Sequence, residues 1–231
     1  MTFVLLGDSH CVAFLDGAAK LHPDVPLSGG QSGMACHFQQ PFFTVSGGDV
    51  QFTDPDVAAR VRLSLQAAGF ASLSEARGKL VLSMGLAPAP TLGRLARLRY
   101  DFGEDAEFSD RNYLSDAVLT QMVDGAQRDV VAFMRACHEL GLLRAVLAGP
   151  ALQSRSRAWQ VFGERAHAIY ARFEEPVRSC CADMSIPVID EHGTKDERGL
   201  LRQEYWSDDW AHANADFGAG AVQALLRTVG P

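Results

Sequence analysis

The chain has 231 residues, 47% hydrophobic and 21% charged, the balance of a globular domain large enough to bury a substantial core. A formal charge of −7 excludes a general nucleic-acid binder with a basic stripe. No apolar run approaches the ~20 residues of a membrane span, so no membrane association is expected.

The chain opens directly into a strand, without a basic n-region or a cleavage-site pattern, so a cytoplasmic protein is expected. The cysteines, Cys11, Cys36, Cys137, Cys180 and Cys181, are odd in number and form no C-x-x-C pair. That argues against both a disulfide framework and a zinc ribbon.

Phe3 to Leu6 is a short apolar run that stops at Gly7-Asp8-Ser9, and a helix-compatible segment follows from Cys11 to Lys20. This reads as a buried strand ending in a sharp turn, with Ser9 at the start of the next helix. A serine there meets free backbone N–H groups and the positive end of the helix dipole, which suits a nucleophile whose reaction develops an oxyanion. The same pattern also serves as a plain N-cap, and Cys11 is a rival nucleophile two residues on.

Val25 to Ser28 gives a second strand running into the glycine-rich loop Ser28-Gly29-Gly30-Gln31-Ser32-Gly33. Residues 41–53 alternate and turn as a hairpin around Gly47-Gly48. Such an insertion either edges the cleft or makes a subunit contact in a homo-oligomer. Asp56 to Ala68 reads as a helix and Lys79 to Gly85 as the third strand. From 87 to 112 no periodicity holds. Pro88, Pro90, Gly93 and Gly103 punctuate the segment, and Arg94, Arg97 and Arg99 precede Glu104, Asp105 and Glu107. Its length and its start at the sheet's carboxyl end predict either a lid or substrate-selecting loop, or a mere surface excursion.

Ser115 to Leu140 is the clearest helix, with Ser115 as N-cap and Gly141 as stop. Arg144 to Pro150 is the fourth strand, and the loop after it carries Gln153, Arg155 and Arg157. Ala158 to Cys181 reads as one long helix, Ile186 to Ile189 as the fifth strand, and Ala215 to Val229 as the closing helix. Strands alternating with helices predict a single α/β domain over residues 1–231. The architecture expected is three-layered and flavodoxin-like, with five parallel strands and a small β-hairpin insertion. Just before the last helix, Asp209 and His212 are three apart, close enough for the carboxylate to fix the imidazole tautomer. Asp208 is the less favoured neighbour.

Gly7-Asp8-Ser9 after the first strand, with Asp209-x-x-His212 before the last helix, resembles the SGNH (GDSL-type) hydrolase superfamily in order and in length. The resemblance implies Ser9 as nucleophile, with His212 and Asp209 as its partners. It also implies an oxyanion hole built from the Ser9 N–H, a glycine N–H (Gly30 or Gly33) and an asparagine side chain. The asparagine is missing, because the third strand continues Gly85-Leu86-Ala87-Pro88. Asn112 or Gln31, brought near by a loop, are the candidate replacements.

The implied activity is a serine esterase that cleaves or transfers the acyl group of a small ester or an acylated sugar through an acyl-Ser9 intermediate. The alternative is a catalytically impaired domain of the same kind that binds a glycan or a protein. Asp8-x-His10 also matches the opening of the metallophosphoesterases, but their later Gly-Asn-His block and metal-binding histidines do not follow. His22, His37, His138, His167 and His192 are scattered. No metal and no cofactor are expected.

Overall fold

The computed structural model describes residues 2–21, 24–101, 112–190 and 193–230. In chain order the first elements are β1 (Phe3–Gly7), α1 (Cys11–Leu21), β2 (Leu27–Gln31), α2 (Ala35–Phe38), β3 (Phe43–Ser46), β4 (Asp49–Phe52) and α3 (Pro55–Ala67). Then come β5 (Leu80–Ser83), α4 (Ala89–Arg97), β6 (Tyr100–Asp101), β7 (Asn112–Tyr113), α5 (Asp116–Glu139) and β8 (Leu143–Leu147). The last are α6 (Arg157–Phe162), α7 (Arg165–Asp183), β9 (Val188–Ile189) and α8 (Ala215–Val229).

Five strands pair in parallel in the order β2-β1-β5-β8-β9, the flavodoxin-like arrangement expected from the alternation of strands and helices. The period-2 alternation of β1 divides the core. Phe3 and Leu5 pack with Phe14 of α1 and Phe217 of α8 on one face. Val4 and Leu6 pack with Val57 of α3, Phe133 of α5 and Val177 of α7 on the other. Each of these side chains is essentially buried, and full burial of one contributes about 1.5–3 kcal/mol. A third apolar cluster joins Leu92 and Leu95 of α4 to Leu119 of α5, Phe162 of α6 and Phe173 of α7.

Two close approaches fix the frame of the site. Gly7 pairs with Ser83 of β5, and a Cβ on it would fall 1.9 Å from the Ser83 carbonyl oxygen. Helices α1 and α8 meet backbone to backbone, where a Cβ on Gly218 would lie 1.7 Å from the Ala13 carbonyl oxygen. The helix that follows Ser9 and the helix that follows His212 are thereby locked together.

The hairpin β3–β4 turns at Gly47-Gly48 and forms its own antiparallel sheet. It is fastened to the domain through Phe43 and Phe52, whose rings lie 5.2 and 5.8 Å from that of Phe133 in α5.

Three local expectations change. The helix expected over 158–181 is two helices, because Gly163 adopts φ 54° and ends α6 before α7 starts. The second strand runs later, so Gly29 and Gly30 belong to it: pairing with β1 overrides their poor strand propensity. Within 87–112, residues 89–97 are helical in spite of the flanking prolines, since Pro90 falls in the first turn, where no backbone donor is lost. The acidic stretch Glu104 to Glu107 lies outside the described residues, as do His22 and His192. Among the described residues, no helix is long and apolar enough to cross a membrane.

Candidate active site

β1 ends in a tight turn. The Asp8 N–H donates to the Ser83 carbonyl at 3.0 Å, and the Cys11 N–H returns to the Asp8 carbonyl at 3.2 Å. The buried Asp8 carboxylate accepts the His10 N–H at 3.0 Å. Ser9 is therefore presented half-exposed at the sheet's carboxyl end, two residues before α1.

The opposing loop is equally constrained. Trp206 and Ala213 form an isolated antiparallel bridge, and the Ser207 N–H donates to the His212 carbonyl at 3.2 Å. Asn214 caps α8, its side-chain oxygen accepting the N–H groups of Asp216 and Phe217 at 3.0 and 3.2 Å. Inside the loop, Asp209 Oδ1 accepts the N–H groups of Ala211 and His212, both at 2.8 Å. This Asx-type turn leaves the second carboxylate oxygen for the imidazole.

Across 203 residues of sequence the two segments meet. His212 Nε2 stands 2.6 Å from Ser9 Oγ, and His212 Nδ1 stands 2.7 Å from Asp209 Oδ2. With Nδ1 protonated toward the carboxylate, Nε2 is the acceptor facing the hydroxyl, the tautomer a general base needs. Partial burial pushes the Asp209 carboxyl upward. Hydrogen bonds from the His212 ring and from the N–H groups of Ala211 and His212 outweigh it and hold the pKa at about 2. Ser9 and His212 line an open cleft of about 680 Å³ with Val12, Asp16, Trp206 and Asn214.

The other expected residues make no hydrogen bond to Ser9, Asp209 or His212 among the described residues. Gly30 lies inside β2 opposite Leu6, and the Gly33 N–H is engaged with the Gly7 carbonyl at 3.3 Å. Gln31 Nε2 donates to the Gly33 carbonyl at 3.1 Å, and Asn112 is exposed in β7, paired with Tyr100. None of the four lines the Ser9 cleft. Among the described residues the Ser9 N–H meets no backbone acceptor.

Cys11 is wholly buried. Burial first, and the Asp8 charge second, push its thiol well above the ordinary value, which disfavours the nucleophilic thiolate.

Two features of the site were not legible in the motifs. His10 is buried with its ring centroid 5.1 Å from that of His212, and among the described residues its Nδ1 has no partner. Burial lowers its pKa, Asp8 opposes the shift, and His212 adds to it, so the charged form of this ring is disfavoured. Trp210, on the same loop, reaches α4, where a Cβ on Gly93 would be 3.4 Å from its indole. Among the described residues no group of three or more His, Cys, Asp or Glu is placed to hold a metal ion.

Sheet order puts Ser9 at the end of the first strand and returns the last loop to it, in an α/β fold shared with solved structures. The chain is similar over 99% of its length to a candidate acylhydrolase from Bacteroides fragilis, covering 86% of that chain at 9% identity and a TM-score of 0.53. More distant matches are a candidate GDSL-like lipase from Parabacteroides merdae and the OSK domain of Drosophila Oskar. The first shows 12% identity, 99% and 95% coverage and a TM-score of 0.48; the second shows 13% identity, 99% and 88% coverage and a TM-score of 0.45. No family model and no curated protein matches the sequence.

Proposed function

We propose that the protein is a serine esterase of SGNH type, acting on a small ester or an acylated sugar through an acyl-Ser9 intermediate. The observation that carries this reading is the continuous hydrogen-bonded line from Ser9 Oγ through His212 to Asp209.

Ser9 Oγ attacks the ester carbonyl and gives its proton to His212 Nε2. The charge developing on the carbonyl oxygen meets the Ser9 N–H. His212 then protonates the leaving alcohol, and the acyl group stays on Ser9. Water, activated by the same imidazole, attacks the acyl-enzyme and restores Ser9; a sugar hydroxyl in its place makes the reaction a transfer. Asp209 orients the ring and balances the imidazolium.

Ser9→Ala and His212→Ala are expected to lower turnover of short p-nitrophenyl esters by about 1000-fold or more. Full rate in either variant refutes the assignment.

A second reading is a domain of this fold that has lost turnover and binds a glycan or a protein. It is favoured by the absent asparagine after β5 and by the engagement of the Gly33 N–H with Gly7. Losing one oxyanion donor costs about 100- to 1000-fold in turnover. Fluorophosphonate labelling separates the readings. Modification of wild type but not of Ser9→Ala supports the esterase, whereas no labelling of either supports the binding domain.

A further inference from the structure

We propose that Arg155, acting through Gln153, is a positioning residue that sets the placement of His212. This inference rests on the esterase reading for its effect on rate but not for the geometry. Both residues lie in the loop between β8 and α6, far in sequence from Ser9 and from the Asp209–His212 turn.

The Arg155 guanidinium uses Nη2 on two carbonyls of the turn, that of Ser207 at 2.6 Å and that of Asp209 in a shorter contact. Its Nε donates to Gln153 Oε1 at 2.6 Å. Gln153, 1% exposed, then donates from Nε2 to the His212 carbonyl at 2.7 Å. Three carbonyls of the segment that carries Asp209 and His212 are therefore held from one neighbouring loop.

The chemistry makes the chain directional. A guanidinium only donates, so it forces the amide oxygen of Gln153 to face Arg155 and the amide N–H to face His212. A buried glutamine without that partner has no such constraint. The guanidinium carbon also lies 4.7 Å from the Trp206 ring centroid, which covers one face and weakens competition from water. Trp206 is itself anchored, its Nε1–H donating to the Leu201 carbonyl at 2.8 Å. The clamp thus bears on the backbone at both ends of the Asx turn, while the turn's own carboxylate holds the imidazole. A shift of about 1 Å in a reacting group can cost 100-fold in rate.

Lysine keeps the charge but cannot serve two carbonyls and an amide oxygen from one fork. Arg155→Met and Arg155→Lys are therefore both expected to lower kcat on a p-nitrophenyl ester by roughly 10- to 100-fold with KM little changed. Both should also lose or broaden the far-downfield proton resonance of the His212 Nδ1–H bound to Asp209. Arg157→Met, which removes an exposed charge from the first turn of α6, should leave kcat and the resonance unchanged. Circular dichroism and melting confirm folding, and if Arg155→Met does not fold, Arg155→Lys decides.

The inference is overturned if a folded Arg155 variant keeps wild-type kcat and resonance, or if Arg157→Met loses them equally. Ser9→Ala separates the two proposals. Wild-type hydrolysis by Ser9→Ala sinks the esterase reading, and the resonance still judges the clamp.

Discussion

Asp209→Asn isolates one bond of the site. The carboxylate has two duties: Oδ1 holds the N–H groups of Ala211 and His212, and Oδ2 holds the imidazole. Asparagine can keep its oxygen on the two N–H groups, so the turn survives. Its NH₂ then faces Nδ1, which favours the tautomer with the proton on Nε2, pointing the wrong way for accepting from Ser9. In a buried triad this change costs about 10⁴ in kcat. The Asp209 side chain is 53% exposed, so water can partly replace it as acceptor for Nδ1–H. A loss of about 100- to 1000-fold in kcat follows, or about 2.7–4.1 kcal/mol at the transition state. Initial rates on p-nitrophenyl acetate, measured below and above KM, read this directly, with Asp208→Asn as the control for lost charge. A kcat for Asp209→Asn within about threefold of wild type, in a preparation where Ser9→Ala is dead, would show that Asp209 does not orient His212.

The same carboxylate predicts an acid-stability signature. Its folded pKa, lowered from 3.8 to about 2, contributes stability that is fully present above the unfolded value and is lost as the pH falls through the folded one. In urea melts the advantage of wild type over Asp209→Asn should be constant above about pH 5 and shrink toward pH 2; a difference that grows with acid contradicts the assignment. Gly218→Ala drives a methyl into the Ala13 carbonyl, so α1 and α8 must separate. A cost of about 1–3 kcal/mol is expected, a melting temperature lower by roughly 2–12 °C, and an unchanged Tm refutes the close contact. Iodoacetamide should modify Cys36 in the native protein and leave Cys11 intact, with Cys11→Ala retaining activity; rapid loss of activity through Cys11 alkylation would restore it as the rival nucleophile.

Local signals carried much of the architecture. The apolar run ending in Gly7-Asp8-Ser9 reports a strand stopped by a turn, because the pattern depends on neighbours in sequence. Asp209 and His212 were legible for the same reason: a three-residue spacing lets one carboxylate cap the backbone and hold the ring whatever lies around it. Contacts between distant segments have no such local signature, and the pairing of Ser9 with His212 is expected only from the family resemblance. That Ser9 and His212 lie 2.6 Å apart was decided by strand order and by the seating of α1 on α8 at Gly218. The break at Gly163, the placement of Gly30 within β2 and the grip of Arg155 on the loop of His212 were likewise set by three-dimensional packing. A sequence determines which side chains are available and which short turns they favour. Only the folded chain determines which carbonyl a guanidinium finds, because that partner is supplied by an element whose position no local pattern encodes.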